Sequence, residues 1–287
     1  MNASATTIWP APAKLNLLLH ITGQREDGYH LLQTVFIFLD YADRLSFEVN
    51  QTGEITRCYQ LAGIDEQDDI IYQAASALQS HAGVKQGVSI QLDKVLPMGG
   101  GLGGGSSDAA TTLTALNKLW NCGLDEPALM EIGLSLGADV PVFLQGQAAW
   151  AEGVGEEITP IELPESWFVV LIPKISVSTA QVFAHPQLIR DCPTITIRDF
   201  LAGQGGNVCE PIVTEMYPQV REAIDVLGRH CKPGEKARMT GTGACVFAAF
   251  DSEDEANQAW KTLSSDWDGF VAKGLNRSPL IELLDVE

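Results

Sequence analysis

The chain has 287 residues, 45% of them apolar and 19% charged, a composition typical of a globular protein long enough for two domains. Its net charge is −19 with only 18 lysines and arginines, so we expect neither nucleic acid nor an anionic membrane among its partners. The six scattered cysteines form no C-x-x-C pair, and neither a signal peptide nor a long apolar run occurs, so we expect a cytoplasmic protein with reduced thiols.

The first predicted strand covers residues 14–21, after an extended lead-in at Trp9-Pro10-Ala11-Pro12. Lys14 stands at its start, where the simplest interpretation is a surface lysine whose stem packs on the strand. The Asp-Gly of Arg25-Glu26-Asp27-Gly28-Tyr29-His30 indicates a turn.

Two strands are predicted next, at residues 34–39 and 44–50, with a hairpin partner near residues 55–61. Asp68-Asp69 then predicts the beginning of a helix over about residues 70–80, and Gly83 predicts its end.

The most informative stretch is the glycine-rich segment from Leu96 to Asp108, which lies between a predicted strand at residues 88–92 and a predicted helix from Ala109. Six glycines in seven positions allow positive φ and close approach of the main chain to a ligand. Free N–H groups at a helix beginning attract phosphate oxygens, so the loop is predicted to bind a phosphate group.

Three other interpretations of this loop fit the residues less well. No G-x-x-x-x-G-K-[ST] occurs, which excludes the P-loop. Gly99, Gly101 and Gly104 match the dinucleotide fingerprint, but a glycine run satisfies any glycine pattern and no doubly wound alternation follows. A plain turn would need only about 2 to 6 residues. Ser106, Ser107 and Asp108 are predicted cap residues, and the two hydroxyls could equally face phosphate or its metal ion.

Beyond the helix, Asp125-Glu126-Pro127 begins another predicted helix that runs to Leu136, with Gly137 as its C-cap. Asp139 follows in a tight apolar link. Taken alone, this carboxylate is either a turn former or a placed base, and the residues by themselves favour the turn.

The character of the sequence changes near residue 150, which predicts domains at 1–150 and 151–287. The second part combines predicted strands and helices in an α+β pattern: a hairpin at 148–152 and 156–161, a strand at 167–172, a helix at 179–183, loops over 194–207, a helix at 217–230, a glycine turn entering a strand at 238–248, a helix at 253–263 and a strand at 269–273.

Three separated blocks resemble the GHMP small-molecule kinases: Pro12-Ala13-Lys14-Leu15-Asn16, the loop Pro97-Met98-Gly99-Gly100-Gly101-Leu102-Gly103-Gly104-Gly105-Ser106-Ser107, and Thr240-Gly241-Thr242-Gly243-Ala244. The resemblance runs from about Trp9 to Pro279. It implies a two-domain α+β fold, with an N-terminal α/β domain that carries the glycine-rich phosphate loop, a ferredoxin-like C-terminal domain, and the site between them.

Within that superfamily, Asp27-Gly28-Tyr29-His30 and Gly137-Ala138-Asp139-Val140-Pro141 are similar to the branch that phosphorylates a cytidyl-diphospho sugar alcohol in non-mevalonate isoprenoid synthesis. The resemblance implies ATP as donor with Mg²⁺ or a similar ion, Lys14 and Asp139 as the catalytic pair, and a monomer or weak homodimer. This implied role replaces the interpretation of Lys14 as a surface lysine and that of Asp139 as a turn former.

The same resemblance assigns the remaining site residues. ATP would be bound by Asp69, Ile70, Ile71, Lys94 and the loop from Pro97 to Ser107, and the substrate by Asn16, Tyr29, His30, Thr179 and Phe183. No metal ligand is assigned. Asp69 departs from the family pattern, which has Asn there. A related homoserine or mevalonate kinase has no reason to keep Tyr29-His30, and a silent nucleotide sensor would have lost Lys14 or Asp139.

Overall fold

A computed structural model describes residues 7–285, and within this range the chain forms ten β-strands and ten α-helices. The strands are β1 Trp9–Gln24, β2 His30–Asn50, β3 Ile55–Arg57, β4 Gly87–Asp93, β5 Ala149–Glu152, β6 Glu157–Pro160, β7 Trp167–Leu171, β8 Arg238–Met239, β9 Val246–Phe250 and β10 Gly269–Leu275. The helices are α1 Ile70–Ala82, α2 Gly104–Leu119, α3 Glu126–Leu136, α4 Val140–Gln145, α5 Thr179–Ala184, α6 Ile197–Leu201, α7 Glu210–Met216, α8 Pro218–Gly228, α9 Glu253–Leu263 and α10 Pro279–Asp285.

The long antiparallel pair of β1 and β2 forms the backbone of the first half. β2 is one continuous strand, so the prediction of two strands at 34–39 and 44–50 is wrong: the intervening residues keep pairing with β1. The expected hairpin partner is also wrong, because β3 pairs in parallel with β4 instead of with β2. A parallel pair needs a crossover, and α1 supplies it between the two strands.

In the second half, β7, β8, β9, β10 and the helices between them follow the chain order strand, helices, strand, strand, helix, strand. The sheet order β10-β7-β9-β8, with antiparallel pairing throughout, is the ferredoxin-like arrangement that the resemblance implied. β10 also pairs with β2 at Gly274 and Leu275, so the two halves share one sheet.

The helices begin and end where local chemistry satisfies their free backbone groups. Asp69 accepts a hydrogen bond from the N–H of Ile71 at the beginning of α1, and Gly83 ends that helix at φ 65°. Asp125 caps α3 in the same way. The predicted loop at 194–207 contains the short helix α6, which begins in a capping box of Thr196 and Asp199. Helices α7 and α10 were not predicted either.

Buried apolar side chains fall into three clusters. One lies between the sheet and helices α1 to α4 and includes Trp9, Leu113 and, from the C-terminal α10, Leu280. A second packs α8 and α9 on the ferredoxin-like strands. The third joins the two along β1 and β2. Among residues 7–285, no helix is long and apolar enough to cross a membrane.

Candidate active site

Three cavities adjoin one another through shared lining residues, and the first two border the glycine loop. The first has a volume of about 380 Å³ and is lined by the loop, Lys94 and residues 68–71. The central one, of about 340 Å³, is lined by Lys14, Asn16 and Asp139 and shares Gly99, Gly101, Gly103 and Ser106 with the first. The third, of about 740 Å³, contains Tyr29 and His30 and shares Phe183, Leu32, Ala138 and Val154 with the central cavity.

The glycine loop is fixed between β1 and the turn that precedes β9. Lys14 N donates to Leu102 O over 2.9 Å, and Cys245 N donates to Gly100 O over 3.1 Å. A Cβ on Gly101, whose φ is +79°, would lie 2.3 Å from Thr240 O, so only glycine fits there. The three sequence blocks, far apart in the chain, therefore meet at one place.

Helix α2 begins at Gly104 with Gly103 as its N-cap and has no side-chain cap bond. Its first N–H groups are left for a ligand, and Gly104, Gly105 and Ser106 line the first cavity. The predictions that the helix begins at Ala109 and that Ser106, Ser107 and Asp108 cap it are wrong, because α2 begins at Gly104 and these three residues lie inside it. The Asp108 carboxylate lies 2.5 Å from Lys94 Nζ instead. Ser107 Oγ is buried and, within the described part of the chain, has no hydrogen-bond partner.

Lys94 links two buried carboxylates below the first cavity, Asp108 and Asp43, whose Oδ2 lies 2.6 Å from the ammonium. Burial raises the pKa of Asp108 to about 8, with Lys94 opposing this and Asp43 adding to it. Burial lowers the pKa of Lys94, but Asp108 and Asp43 outweigh it and raise the pKa overall. Lys94 therefore stays charged between the two carboxyl groups.

Lys14 is the buried cation of the central cavity, with a side chain only 3% exposed. Its ammonium lies 2.5 Å from Asn16 Oδ1, 3.2 Å from Gly101 O and 3.3 Å from Asp139 Oδ2. Lys14 and Asn16 are two residues apart in a regular part of β1, so both side chains lie on the same face of the strand.

Asp139 is the N-terminal flanking residue of α4, and its side chain makes no cap bond. The carboxylate is 39% exposed and faces the central cavity. The turn makes no use of this side chain. The interpretation of Asp139 as a turn former therefore does not explain why the residue carries a carboxylate. A carboxylate beside a buried ammonium can accept a proton from an alcohol.

Two threonines that were not among the predicted site residues, Thr34 and Thr240, hold this centre in place. Thr34 Oγ1 accepts from Asn16 Nδ2 over 2.8 Å and donates to Leu18 O over 2.6 Å. Thr240 Oγ1 accepts from Asn16 N and donates to Gly101 O, which ties β1 to the loop. No sequence signal could find these contacts, because Asn16 and Thr240 are 224 residues apart.

Beside the first cavity, both carboxylate oxygens of Asp69 accept hydrogen bonds from other parts of the protein. Its carboxylate is buried and accepts from Ile71 N, Arg57 Nη1 at 2.9 Å and Tyr59 OH at 2.7 Å. Ile70, Ile71 and the exposed Met98 add apolar surface to the same cavity, and Pro97 lies beside them. Leu102 instead points into the core and is 1% exposed.

The third cavity, called the outer cavity below, is lined by aromatic side chains. The His30 and Phe183 rings stack with centroids 5.1 Å apart, and Tyr29 is 64% exposed at the cavity edge, where the Arg25 guanidinium lies 6.0 Å from its ring. Thr179 lies in the central cavity instead, where its Oγ1 is 2.8 Å from Thr242 Oγ1.

The comparisons with known proteins agree with this geometry. Residues 69–147 match the family model of the GHMP kinases N-terminal domain, and residues 196–269 match the GHMP kinases C-terminal model. The 4-diphosphocytidyl-2-C-methyl-D-erythritol kinases of Nitrosococcus oceani and Methylococcus capsulatus are 54% and 55% identical, over 97% and 96% of this chain and 98% and 94% of their own lengths.

Among solved structures, the crystal structure of a 4-(cytidine 5'-diphospho)-2C-methyl-D-erythritol kinase superposes with a TM-score of 0.80 at 33% identity, and the match covers 93% of this chain and 99% of that one. The resemblance inferred from the three sequence blocks is confirmed. The chain belongs to the GHMP kinases and, within them, to the family of the 4-diphosphocytidyl-2-C-methyl-D-erythritol kinases.

Proposed function

We propose that this chain transfers the γ-phosphoryl group of ATP to the 2-hydroxyl of 4-diphosphocytidyl-2-C-methyl-D-erythritol, a step of the MEP route to isoprenoid precursors. The observation that carries the proposal is the pair of Lys14 and Asp139, 3.3 Å apart, in a cavity that joins a glycine loop on one side to an aromatic cavity on the other. The names of relatives over 50% identical along nearly the whole chain support the same reaction.

ATP occupies the first cavity in this proposal. Its phosphates lie against the main-chain N–H groups of the loop and the beginning of α2, where the helix dipole favours negative charge. The adenine and ribose lie against Ile70, Ile71 and Met98. Lys94 also lines this cavity, but Asp43 and Asp108 offset its charge, so the main-chain N–H groups supply most of the attraction for the phosphates.

A divalent cation such as Mg²⁺ fits the end of the loop beside the phosphates. Within residues 7–285 there is no group of three or more acidic, His or Cys side chains able to hold a metal ion. Mg²⁺ usually keeps several waters and binds through substrate phosphates with one or two protein ligands. Ser106, which lines both the first and the central cavity, is the protein residue that would hold it, and the ion would neutralise developing phosphate charge.

The acceptor hydroxyl lies in the central cavity between Asp139 and the terminal phosphate. Asp139 accepts the hydroxyl proton as the oxygen attacks phosphorus. Lys14 orients that carboxylate and offsets charge on the transferring group, because its ammonium is held by Asn16 and Gly101 at a fixed position. The cytidine end extends into the outer cavity, where Tyr29 and Phe183 offer aromatic faces and His30 faces the edge of the base. Thr179 offers a hydroxyl from the adjoining central cavity.

An assay of ADP release tests the proposal. The protein is supplied with ATP, Mg²⁺ and one acceptor at a time: the cytidyl substrate, homoserine or mevalonate. The proposal predicts ADP release with the cytidyl substrate at least about 100-fold faster than with the other two, since only that acceptor fills the outer cavity. Faster release with homoserine or mevalonate contradicts the substrate, and no release with any acceptor favours a nucleotide sensor.

A further inference from the structure

Arg190 lies after α5 and lines the outer cavity beside His30. Three of its hydrogen bonds hold the segment it belongs to: Nη2 donates to Phe183 O at 2.7 Å and to His185 O at 3.0 Å, and Nη1 donates to Leu188 O at 3.1 Å. The fourth leaves this segment, because Nε donates to His30 Nε2 over 3.1 Å. The guanidinium thus fixes His30 relative to the residues around Phe183.

This fourth hydrogen bond determines where the His30 ring carries its proton. An arginine side chain has five N–H donors, accepts no hydrogen bond and is always charged in proteins. Its partner nitrogen, Nε2, must therefore be the unprotonated one. A neutral imidazole with a free Nε2 carries its hydrogen on Nδ1, and an imidazolium would place two N–H groups against each other.

We infer that Arg190 is a positioning residue that holds His30 as the Nδ1–H tautomer, and that this fixed donor sets a preference for cytosine over uracil. The inference rests on the proposed function, which brings a cytidine group to this cavity. It adds a determinant outside the predicted site, since nothing in the sequence of Arg190 and its neighbours distinguishes it from a surface arginine.

The surroundings agree with a neutral ring. Burial first, and then the charge of Arg190, lower the pKa of His30. The other titratable side chains lining the cavity are Asp27 and Tyr29, and Asp27 already forms an ion pair with Arg25 at 2.7 Å. The ring of His30 stacks on Phe183, whose carbonyl is held by the same guanidinium, so one residue positions both rings.

A fixed donor distinguishes the two pyrimidines. Cytosine has an unprotonated N3 that accepts a hydrogen bond, whereas uracil carries a hydrogen at N3. A donor facing that edge pairs with cytosine and opposes the N–H of uracil. Sites built to hydrogen-bond one group reject the analogue that leaves a buried partner unpaired, and stacking alone tolerates either base.

The first test reads the tautomer directly in the unmodified protein. Histidine ¹⁵N NMR at neutral pH, with His30→Gln to assign the signals, should show a protonated Nδ1 and an unprotonated Nε2 for His30. This spectrum needs no change at Arg190, so it decides the tautomer even if variants at that position fold poorly. A His30 protonated at Nε2, or at both nitrogens, overturns the inference.

The second test measures binding of cytidine diphosphate and uridine diphosphate by calorimetry to the parent, to Arg190→Met and to Arg198→Met, a matched change at an exposed arginine in α6. The ratio of the two affinities should fall by about tenfold in Arg190→Met and stay unchanged in Arg198→Met. An unchanged ratio in Arg190→Met, or a parent that binds both nucleotides equally, overturns the inference. Failure of the proposed function is distinguishable, because it is read as absence of ADP release with the cytidyl substrate.

Discussion

Asn16 Oδ1 lies 2.5 Å from Lys14 Nζ, and the orientation of this amide is set by Thr34 from the opposite side. The Thr34 hydroxyl gives its hydrogen to Leu18 O, so it can only accept from Asn16, which must present Nδ2 to it. The Asn16 oxygen is therefore turned toward the ammonium. A neutral, fully buried hydroxyl thus orients the cation of the site.

Thr34→Val keeps the shape of the side chain and removes the hydroxyl. We expect kcat to fall by about tenfold and the free energy of unfolding to fall by about 1 to 3 kcal/mol, because Asn16 Nδ2 and Leu18 O lose a buried partner. Thr34→Ser keeps the hydroxyl and should retain most of both. Steady-state kinetics and urea denaturation check this, and a fully active, fully stable valine variant contradicts the role of Thr34.

Asp69→Asn separates a structural role from a nucleotide contact. The carboxylate already serves Ile71, Arg57 and Tyr59, and no oxygen is left for a ligand. We expect the variant to lose about 1 to 3 kcal/mol of stability, since Arg57 loses its charged partner, while the KM for ATP changes less than about twofold. Asp68→Asn, an exposed neighbour on the same cavity, is the control and should change neither. A large rise in KM without loss of stability would show that Asp69 contacts ATP.

Gly103→Val should damage folding as well as ATP binding. From the sequence alone we would expect a loss of ATP affinity with little change in stability. The structure corrects this expectation: a Cβ on Gly103, at φ +73°, would lie 2.8 Å from Phe143 Cζ and 3.0 Å from Lys14 Cε. Melting temperature and ATP affinity should therefore fall together.

Gly105→Ala is the matched control for the loop. Its added Cβ would meet only Ile70 Cγ2, at an ordinary 3.7 Å. We expect the melting temperature of Gly105→Ala to stay within about 2 °C of the parent, or rise slightly, because alanine is favoured in a helix. If Gly103→Val melts like the parent, the crowding around Gly103 does not exist.

Asp108 should make the folded protein less stable as the pH rises. Burial raises the pKa of this carboxyl from 3.8 to about 8, so the folded chain binds its proton more tightly than the unfolded chain does. This contribution is complete below about pH 4 and is lost as the pH rises through about 8. The free energy of unfolding should fall by up to about 1.4 kcal/mol per pH unit within that window.

The measurement is urea denaturation at pH 6 and pH 9 of the parent, of Asp108→Asn and of Asp93→Asn, an exposed neighbour of Lys94. The decrease between the two pH values should be smaller in Asp108→Asn than in the other two proteins. An equal decrease in all three means that Asp108 is ionised in the folded protein at both pH values.

Much of the fold was predictable because its signals are local. The beginning of α1 at Asp69 and the hydrophobic stripe of α2 are set by residues within a few positions of each other. One error came from pairing at a distance: residues 55–57 have a strand composition, but Ile55 pairs with Val88, 33 positions further along the chain and beyond α1, and no local pattern specifies this parallel partner.

The residues of the candidate site also fall into two groups, those found from local motifs and those that depend on contacts between distant parts of the chain. The loop, Lys14 and Asp139 were found through motifs, whereas Thr34 and Arg190 have their roles only because the fold brings them to Asn16 and His30. The cap predicted at Asp108 is wrong because Gly104 and Gly105 already belong to α2, which leaves Asp108 inside the helix. Its contact with Lys94, 14 positions away, depends on the fold, and no local pattern specifies it.

Asp139→Asn tests the central claim, which is that the pair of Lys14 and Asp139 carries out phosphoryl transfer. The amide keeps the size of the side chain but cannot accept the hydroxyl proton as a base. We expect kcat for ADP release with the cytidyl substrate to fall by about 10² to 10⁴ while the affinity for ATP, measured by calorimetry, stays within about twofold of the parent. A variant that keeps near-parental turnover contradicts the claim and returns Asp139 to the role of a turn residue.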